Sequence, residues 1–215
     1  MPEAEKIQDA NNIGVAKGRP GGYAVVAPAG IDLAKFKDVA KTLKELIAEM
    51  AASGVKSLGY ISSDGITWST DVDSEDNNDW GGDVIDSTMN SYSESAKVTF
   101  LETRDSVLKT VYGDGNVTTE NGVTEVRHNS NFTAPHAFVF DNIISPTKVK
   151  RCIVPLGRIF ERDDLTQNNS DLLGYSPTIK AMACDAYDGD TYREYIYDSA
   201  AATQASADEG KPVAD

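Results

Sequence analysis

The chain is poor in the side chains that most often carry chemistry: of its 215 residues, two are cysteine and two are histidine. Two cysteines are too few for a disulfide scaffold in a chain of this size, so Cys152 and Cys184 are expected to be reduced, half-buried strand residues. Neither His128 nor His136 belongs to a His-Glu-x-x-His pattern, and there is no Gly-x-Ser-x-Gly elbow. His136 opens an alternating stretch, His-Ala-Phe-Val-Phe, and reads as a surface or edge histidine. Without a nucleophile and base set, a hydrolase on an all-β scaffold is the least supported reading. No catalytic, cofactor or metal residue is assigned, and the chain is expected not to be an enzyme. Long apolar runs are also missing, which excludes a membrane-spanning helix. The segment Met1 to Asn12 is polar and acidic, lacks the basic start and apolar stretch of a secretory signal, and predicts folding in a cytoplasm. Cations are scarce as well. Lys and Arg number 20 against 34 Asp and Glu, a net charge of −14, which argues against tight nucleic-acid binding because that affinity comes from neutralising phosphates.

What is present is a change of period. Over residues 33–52, Leu33, Phe36, Val39, Ala40, Leu43, Leu46, Ile47 and Met50 recur three and four apart, which predicts an amphipathic helix with Asp32 capping its start and Gly54 ending it. After Val55 the period becomes two. Short β-branched and aromatic segments are punctuated by Asp64-Gly65, Gly81-Gly82, Asp114-Gly115, Asn121-Gly122 and Asp188-Gly189, a pattern of hairpins. Strands are expected at about 57–62, 65–70, 83–90, 95–102, 122–128, 136–142, 147–154, 156–162, 174–183 and 191–197. They make the fold mainly β, an antiparallel sandwich or barrel. A short flanking helix is expected over about 104–112, stopped by Gly113. Residues 1–198 read as one domain, and 199–215, rich in Ala, Ser and Asp, as a flexible tail.

One cluster invites a metal. Asp71, Asp73, Glu75, Asn77 and Asp79 place oxygen ligands at every second position, as in a calcium loop. Yet position six, which needs Gly for the sharp turn, is Asp76, and position twelve, which needs a bidentate Glu, is Gly82. A hydrated acidic loop explains the same residues. Trp80, after seven polar or acidic residues and before Gly81-Gly82, should be exposed in a lone copy unless it packs back or meets a partner. A monomeric β-sandwich binding module for carbohydrate or calcium would use this loop and its aromatics. The three Asn-x-Ser/Thr triplets, at Asn116, Asn131 and Asn168, read as coincidence.

Five further motifs lie in order: Leu-Gly-Tyr-Ile-Ser-Ser-Asp-Gly-Ile at 58–66, Trp-Gly-Gly-Asp-Val-Ile at 80–85, Leu-Glu-Thr-Arg-Asp-Ser-Val-Leu-Lys-Thr-Val-Tyr-Gly at 101–113, Lys-Val-Lys-Arg-Cys-Ile-Val-Pro-Leu-Gly-Arg-Ile at 148–159 and Leu-Gly-Tyr-Ser-Pro-Thr-Ile-Lys-Ala-Met at 173–182. Over roughly 55–198 the chain resembles the major tail (tail tube) protein of long, non-contractile-tailed bacteriophages. In that family the region of the 33–52 helix is a shorter connection, so the helix reads as an addition. The resemblance implies a virion protein that assembles in the host cytoplasm into six-membered rings, which stack into a hollow tube for DNA delivery. It implies tape measure, tail terminator and tail tip proteins as partners, transient passage of double-stranded DNA, no membrane and no cofactor. It places the 71–83 loop between rings, with Asp71, Asp73, Asp76, Asp79, Trp80, Gly81 and Gly82 as the contact. An acidic conduit would let a polyanion slide without sticking.

Overall fold

A computed structural model describes residues 13–131 and 133–203. In chain order the elements are β1 Lys17–Gly18, β2 Ala24–Pro28, α1 Leu43–Glu49, β3 Lys56–Ser57, β4 Ile61–Asn78, β5 Val84–Phe100, α2 Asp105–Tyr112, β6 Val117–Glu120, β7 Val123–Val126, β8 His136–Ile143, β9 Lys148–Arg162, β10 Pro177–Ala181 and β11 Arg193–Asp198. Nine strands form one antiparallel sheet in the order β3-β2-β8-β9-β10-β5-β4, with β1 on β8 and β11 on β9. β6 and β7 make a separate hairpin across Asn121 and Gly122, both at positive φ as its turn requires.

The long sheet folds back on itself. β4 lies four strands from β8, about 19 Å away in a flat sheet. Yet the Trp68 ring of β4 meets Phe140 of β8 edge-on at 6.0 Å and stacks on Tyr192 at 4.5 Å. The enclosed core joins Ala24 and Val26 of β2, Phe138 and Phe140 of β8, Cys152 and Val154 of β9, and Ala96 and Val98 of β5. Val107, Leu108 and Val111 of α2 pack into it, and Gly113 at φ +96 ends that helix as expected. Gly157 is fixed by space: a Cβ there would sit 2.9 Å from the Phe138 ring and 2.8 Å from Ile179.

The other face of β2, β8 and β9 is buried too. Val25, Ala27, Ala137, Val139 and Ile153 lie beneath Leu33, Phe36, Leu43, Leu46 and Met50, so the apolar stripe of residues 33–52 covers a sheet of its own subunit. This cover is not the single helix its spacing predicts. It is a 3-10 turn at Ala34–Lys37, then α1, then a 3-10 turn at Ala51–Ser53 closed by Gly54 at φ +78. Asp32 does accept from the Ala34 N–H, at 2.8 Å, and α1 starts on a reciprocal box between Thr42 and Glu45.

The break has a visible cause. Arg151, fully buried, donates to Asp141 through Nε and one Nη, and to the carbonyls of Phe36, Asp38 and Lys41 at 2.8–3.0 Å. Arg19 donates to Asp141 at 3.0 Å and to the carbonyls of Val39, Ala40 and Lys41 at 2.9–3.0 Å. Carbonyls that would continue a helical ladder are turned instead onto two guanidinium groups, which hold the chain open between Asp38 and Lys41.

Several strand expectations merge or move. The expected 83–90 and 95–102 strands are one, β5, and 147–154 and 156–162 are one, β9. Asp64-Gly65 does not turn a hairpin. It lies in a bulge of β4, where Ile61 pairs Phe100 and Ile66 pairs Val98. β2 was not expected as a strand: buried on both faces, its Ala-Val-Val-Ala run lacks the alternation of a half-buried strand. Cys184 lies in the loop after β10 rather than on a strand. His136, read as a surface or edge histidine, is half-buried on an inner strand between Pro28 and Gly157. Residues 199–203 make a helical turn, and the rest of the expected tail lies outside the described residues.

Candidate functional site

The feature that departs most from a closed domain is the β4–β5 ribbon. β10 pairs β5 only from Glu94 to Lys97, so Asp71–Asn78 and Ser93–Val84 run on as two strands alone. Eight residues beyond the body give the arm a reach of roughly 25 Å. Where the acidic run suggests a loop, the structure has strand up to Asn78 and a short turn. The Asp79 amide donates to the Asp83 carbonyl at 2.8 Å, the Gly82 amide to the Asp79 carbonyl at 3.1 Å, and the Asp83 amide to Asp79 Oδ1 at 2.9 Å. Gly82 adopts φ +93, a conformation that favours glycine. Trp80 stands at this tip fully exposed and does not pack back.

The ladder sorts the arm's side chains into two faces, because paired residues of an antiparallel ribbon point to the same side. Asp71, Asp73, Glu75 and Asn77 share one face with Ser93, Ser91, Thr88 and Asp86. Val72, Ser74, Asp76 and Asn78 share the other with Tyr92, Met89, Ser87 and Val84. Of the residues expected to act together, Asp71 and Asp73 are therefore on one side, Asp76 on the other, and Asp79, Trp80, Gly81 and Gly82 in the turn. The every-second-residue carboxylates suggest a calcium loop from the sequence, but in the structure they stand in a row about 7 Å apart. They do not wrap a common centre. Among the described residues no group of three or more His, Cys, Asp or Glu is placed to hold a metal ion.

The sequence did not single out the apolar residues of this ribbon. Val72, Val84, Ile85, Met89 and Tyr92 are all exposed. Which face Met89 occupies depends on a bulge, and a bulge leaves little mark in sequence. At the arm's root, Glu94 is buried and accepts from the Thr191 hydroxyl, and its hydrogen bond with Tyr92 pushes that phenol up to about 12. These groups anchor the ribbon to the loop before β11.

Elsewhere the chemistry is quiet. Cys152 is buried, which pushes its thiol up to about 12 with help from the Glu194 carboxylate. His128 sits edge-on to Tyr112 at 4.8 Å, and His136 lies 3.5 Å from Asp114. Neither histidine is set beside a hydroxyl or thiol nucleophile in these contacts.

A search of curated proteins finds no match to the chain. A family model described as phage tail tube protein matches residues 20–207, from ahead of β2 to beyond β11 and across the whole arm. That span takes in nearly all of the folded sheet, and on it the chain belongs to the phage tail tube protein family, as a structural component of the virion tail and not an enzyme.

Proposed function

We propose that six copies of this chain close into a ring and that rings stack into the hollow tube of a long, non-contractile tail, through which double-stranded DNA is delivered. The observation that carries this is the unfinished edge of the sheet. Among the described residues β4 pairs only with β5, so its other edge presents N–H and C=O groups without a strand partner along the body and the arm. Such an edge invites pairing with another chain, and a rotation that closes removes it. The layer of β4, β5, β10 and the distal half of β9 offers four strands per copy. Twenty-four strands tilted about 40° make a barrel roughly 48 Å across, wide enough for a duplex once side chains are added.

The outer side of that layer suits a bore. It carries Thr67, Ser69, Ser95, Lys97, Thr178 and Lys180, polar side chains left open to solvent or half-covered. Its carboxylates are Asp71, Asp73, Glu75 and Asp86 of the arm, with Glu161 of β9 opposite Thr178. The arm reaches the adjoining ring, with Asp71, Asp73, Asp76, Asp79, Gly81 and Gly82 at the junction and Trp80 as its anchor. Tape measure, tail terminator and tail tip proteins are the partners this role requires.

Negative-stain electron microscopy of concentrated protein, beside light scattering on a sizing column, tests the reading. Rings or hollow tubes of uniform width are expected. A strict monomer, even when seeded with preformed tube ends, overturns it. In the same assay Trp80→Ala should lower tube yield while leaving the melting temperature unchanged, since the exposed indole contributes nothing within one copy; tubes at wild-type yield would remove Trp80 as the anchor.

A further inference from the structure

Along β5, Glu94, Ala96, Val98 and Phe100 are buried and face the enclosed core. Tyr92 continues that series, and opposite it Val72 continues the series of Ile66 and Trp68 on β4. Simple alternation would next bring Asn90, Thr88 and Asp86 to this side and turn Met89 toward the carboxylates. The ladder does otherwise. Between the pairs Asp73–Ser91 and Ser74–Met89 the register shifts, leaving Asn90 as the extra residue. A one-residue slip exchanges the two faces of a strand. It carries Met89 onto the side of Val72 and Tyr92, and Thr88 and Asp86 onto the side of Asp71, Asp73 and Glu75. A second shift, between Asn77 and Asn78, leaves Ile85 extra and returns Val84 to the apolar side.

The bulges thus draw the protomer's core face out along the ribbon as a stripe of Val72, Tyr92, Met89 and Val84, about half or more exposed: 51%, 48%, 61% and 59%. A two-stranded ribbon alone is marginal in water, and this one has an apolar side with nothing among the described residues laid over it. We propose that this stripe is a docking face for a second copy of this chain, and that the contact is heterologous, arm against a different surface of the neighbour.

Charge decides the second half of that statement. Residues 71–86 hold seven carboxylates and no Lys or Arg, half the net charge of −14. Two arms laid stripe to stripe would bring fourteen together at close range, which disfavours a symmetric arm-to-arm pair. Against another surface the stripe is covered while Asp71, Asp73, Glu75 and Asp86 stay toward water, Asp76 being the one carboxylate of the paired ribbon on the covered side. The inference rests on the tube-building reading and adds to it which side of the arm is buried.

The test uses two charge-matched variants of the full chain. Val72→Asp with Met89→Asp puts two carboxylates on the stripe; Thr88→Asp with Ser91→Asp puts two on the opposite side. All four positions are exposed, so both variants should melt like wild type. Burying unpaired charges is costly, so the stripe variant should raise the critical concentration for tubes about tenfold or more, and the opposite-side variant, which adds only screened repulsion, several-fold less than that. Equal loss in both would mean total arm charge matters and its side does not, and would overturn the inference. Wild-type tube formation by the stripe variant would overturn it too, leaving the tail tube reading in place. A wild-type chain that never self-associates would overturn both.

Discussion

Cys152 lies in the middle of β9, packed with Val154 and Phe140 in the enclosed core, its Sγ 3.6 Å from Glu194 Oε1. Burial first, and the carboxylate second, hold its thiol protonated from the ordinary 9.0 up to about 12. Between those values the folded chain keeps a proton that the unfolded chain has released. Stability from this group is therefore complete below about pH 9 and is lost as pH climbs toward about 12. Tyr92 and Tyr187, also raised to about 12, add losses of the same sign. Cys152→Ala should then unfold at a lower midpoint than wild type at pH 7 but lose less of it on going to pH 10.5. Parallel curves for the two proteins would mean the thiol does not sense its surroundings. The same residue shows what sequence can convey about a site. Cys152, Lys150 and Val154 alternate in a way that marks a packed small side chain and not a reactive one, and the surroundings agree.

Among the elements, the cover over β2, β8 and β9 is the one that depends most on distant residues. Asp141 on β8 pairs with both Arg151 on β9 and Arg19, one carboxylate between two cations, and those guanidinium groups in turn hold five carbonyls between Phe36 and Lys41. Asp141→Asn would leave two buried cations without their carboxylate, and breaking a buried pair from one side costs about 3–5 kcal/mol. Denaturant unfolding should show that loss, and amide exchange should show residues 36–46 opening ahead of β4, β5 and β10; a uniform loss of protection would show that the clamp does not act on the cover in particular. The apolar stripe of this segment was legible because burial writes a period into sequence. The break was not, since the side chain that causes it lies 115 residues from Phe36. The arm failed for a related reason. Asp and Asn are depleted in strands, so Asp71 to Asn78 reads as loop. The ladder to β5 outweighs that preference, and the alternation that looked like ligand spacing is the pleat. Where a turn needs particular residues, as at Asn121-Gly122, sequence and structure coincide.

At the scale of the whole molecule, assembly must overcome charge. Every copy brings −14 to its neighbours, and half of it sits on the arm that is proposed to dock on another copy. Outside that arm anions still outnumber cations, so no arrangement of copies makes the average encounter attractive. The short-range terms of the proposed assembly, apolar burial along the stripe and main-chain pairing at the β4 edge, would have to exceed a repulsion that extends as far as the solvent allows. Salt changes only the second. Between about 0.01 M and 1 M the screening length falls from about 30 Å to about 3 Å, shorter than the reach of the arm. Added sodium chloride should therefore lower the critical concentration for tubes, steeply at first and then flatly once screening is shorter than the spacing of the carboxylates. Replacing Asp71, Asp73 and Glu75 by Asn or Gln should flatten that dependence, because the repulsion they contribute is then absent at every salt concentration. A critical concentration that rises with salt would mean the arm is seated by attraction to a cationic surface on its neighbour, and would move the weight of the interface from the apolar stripe to its charges.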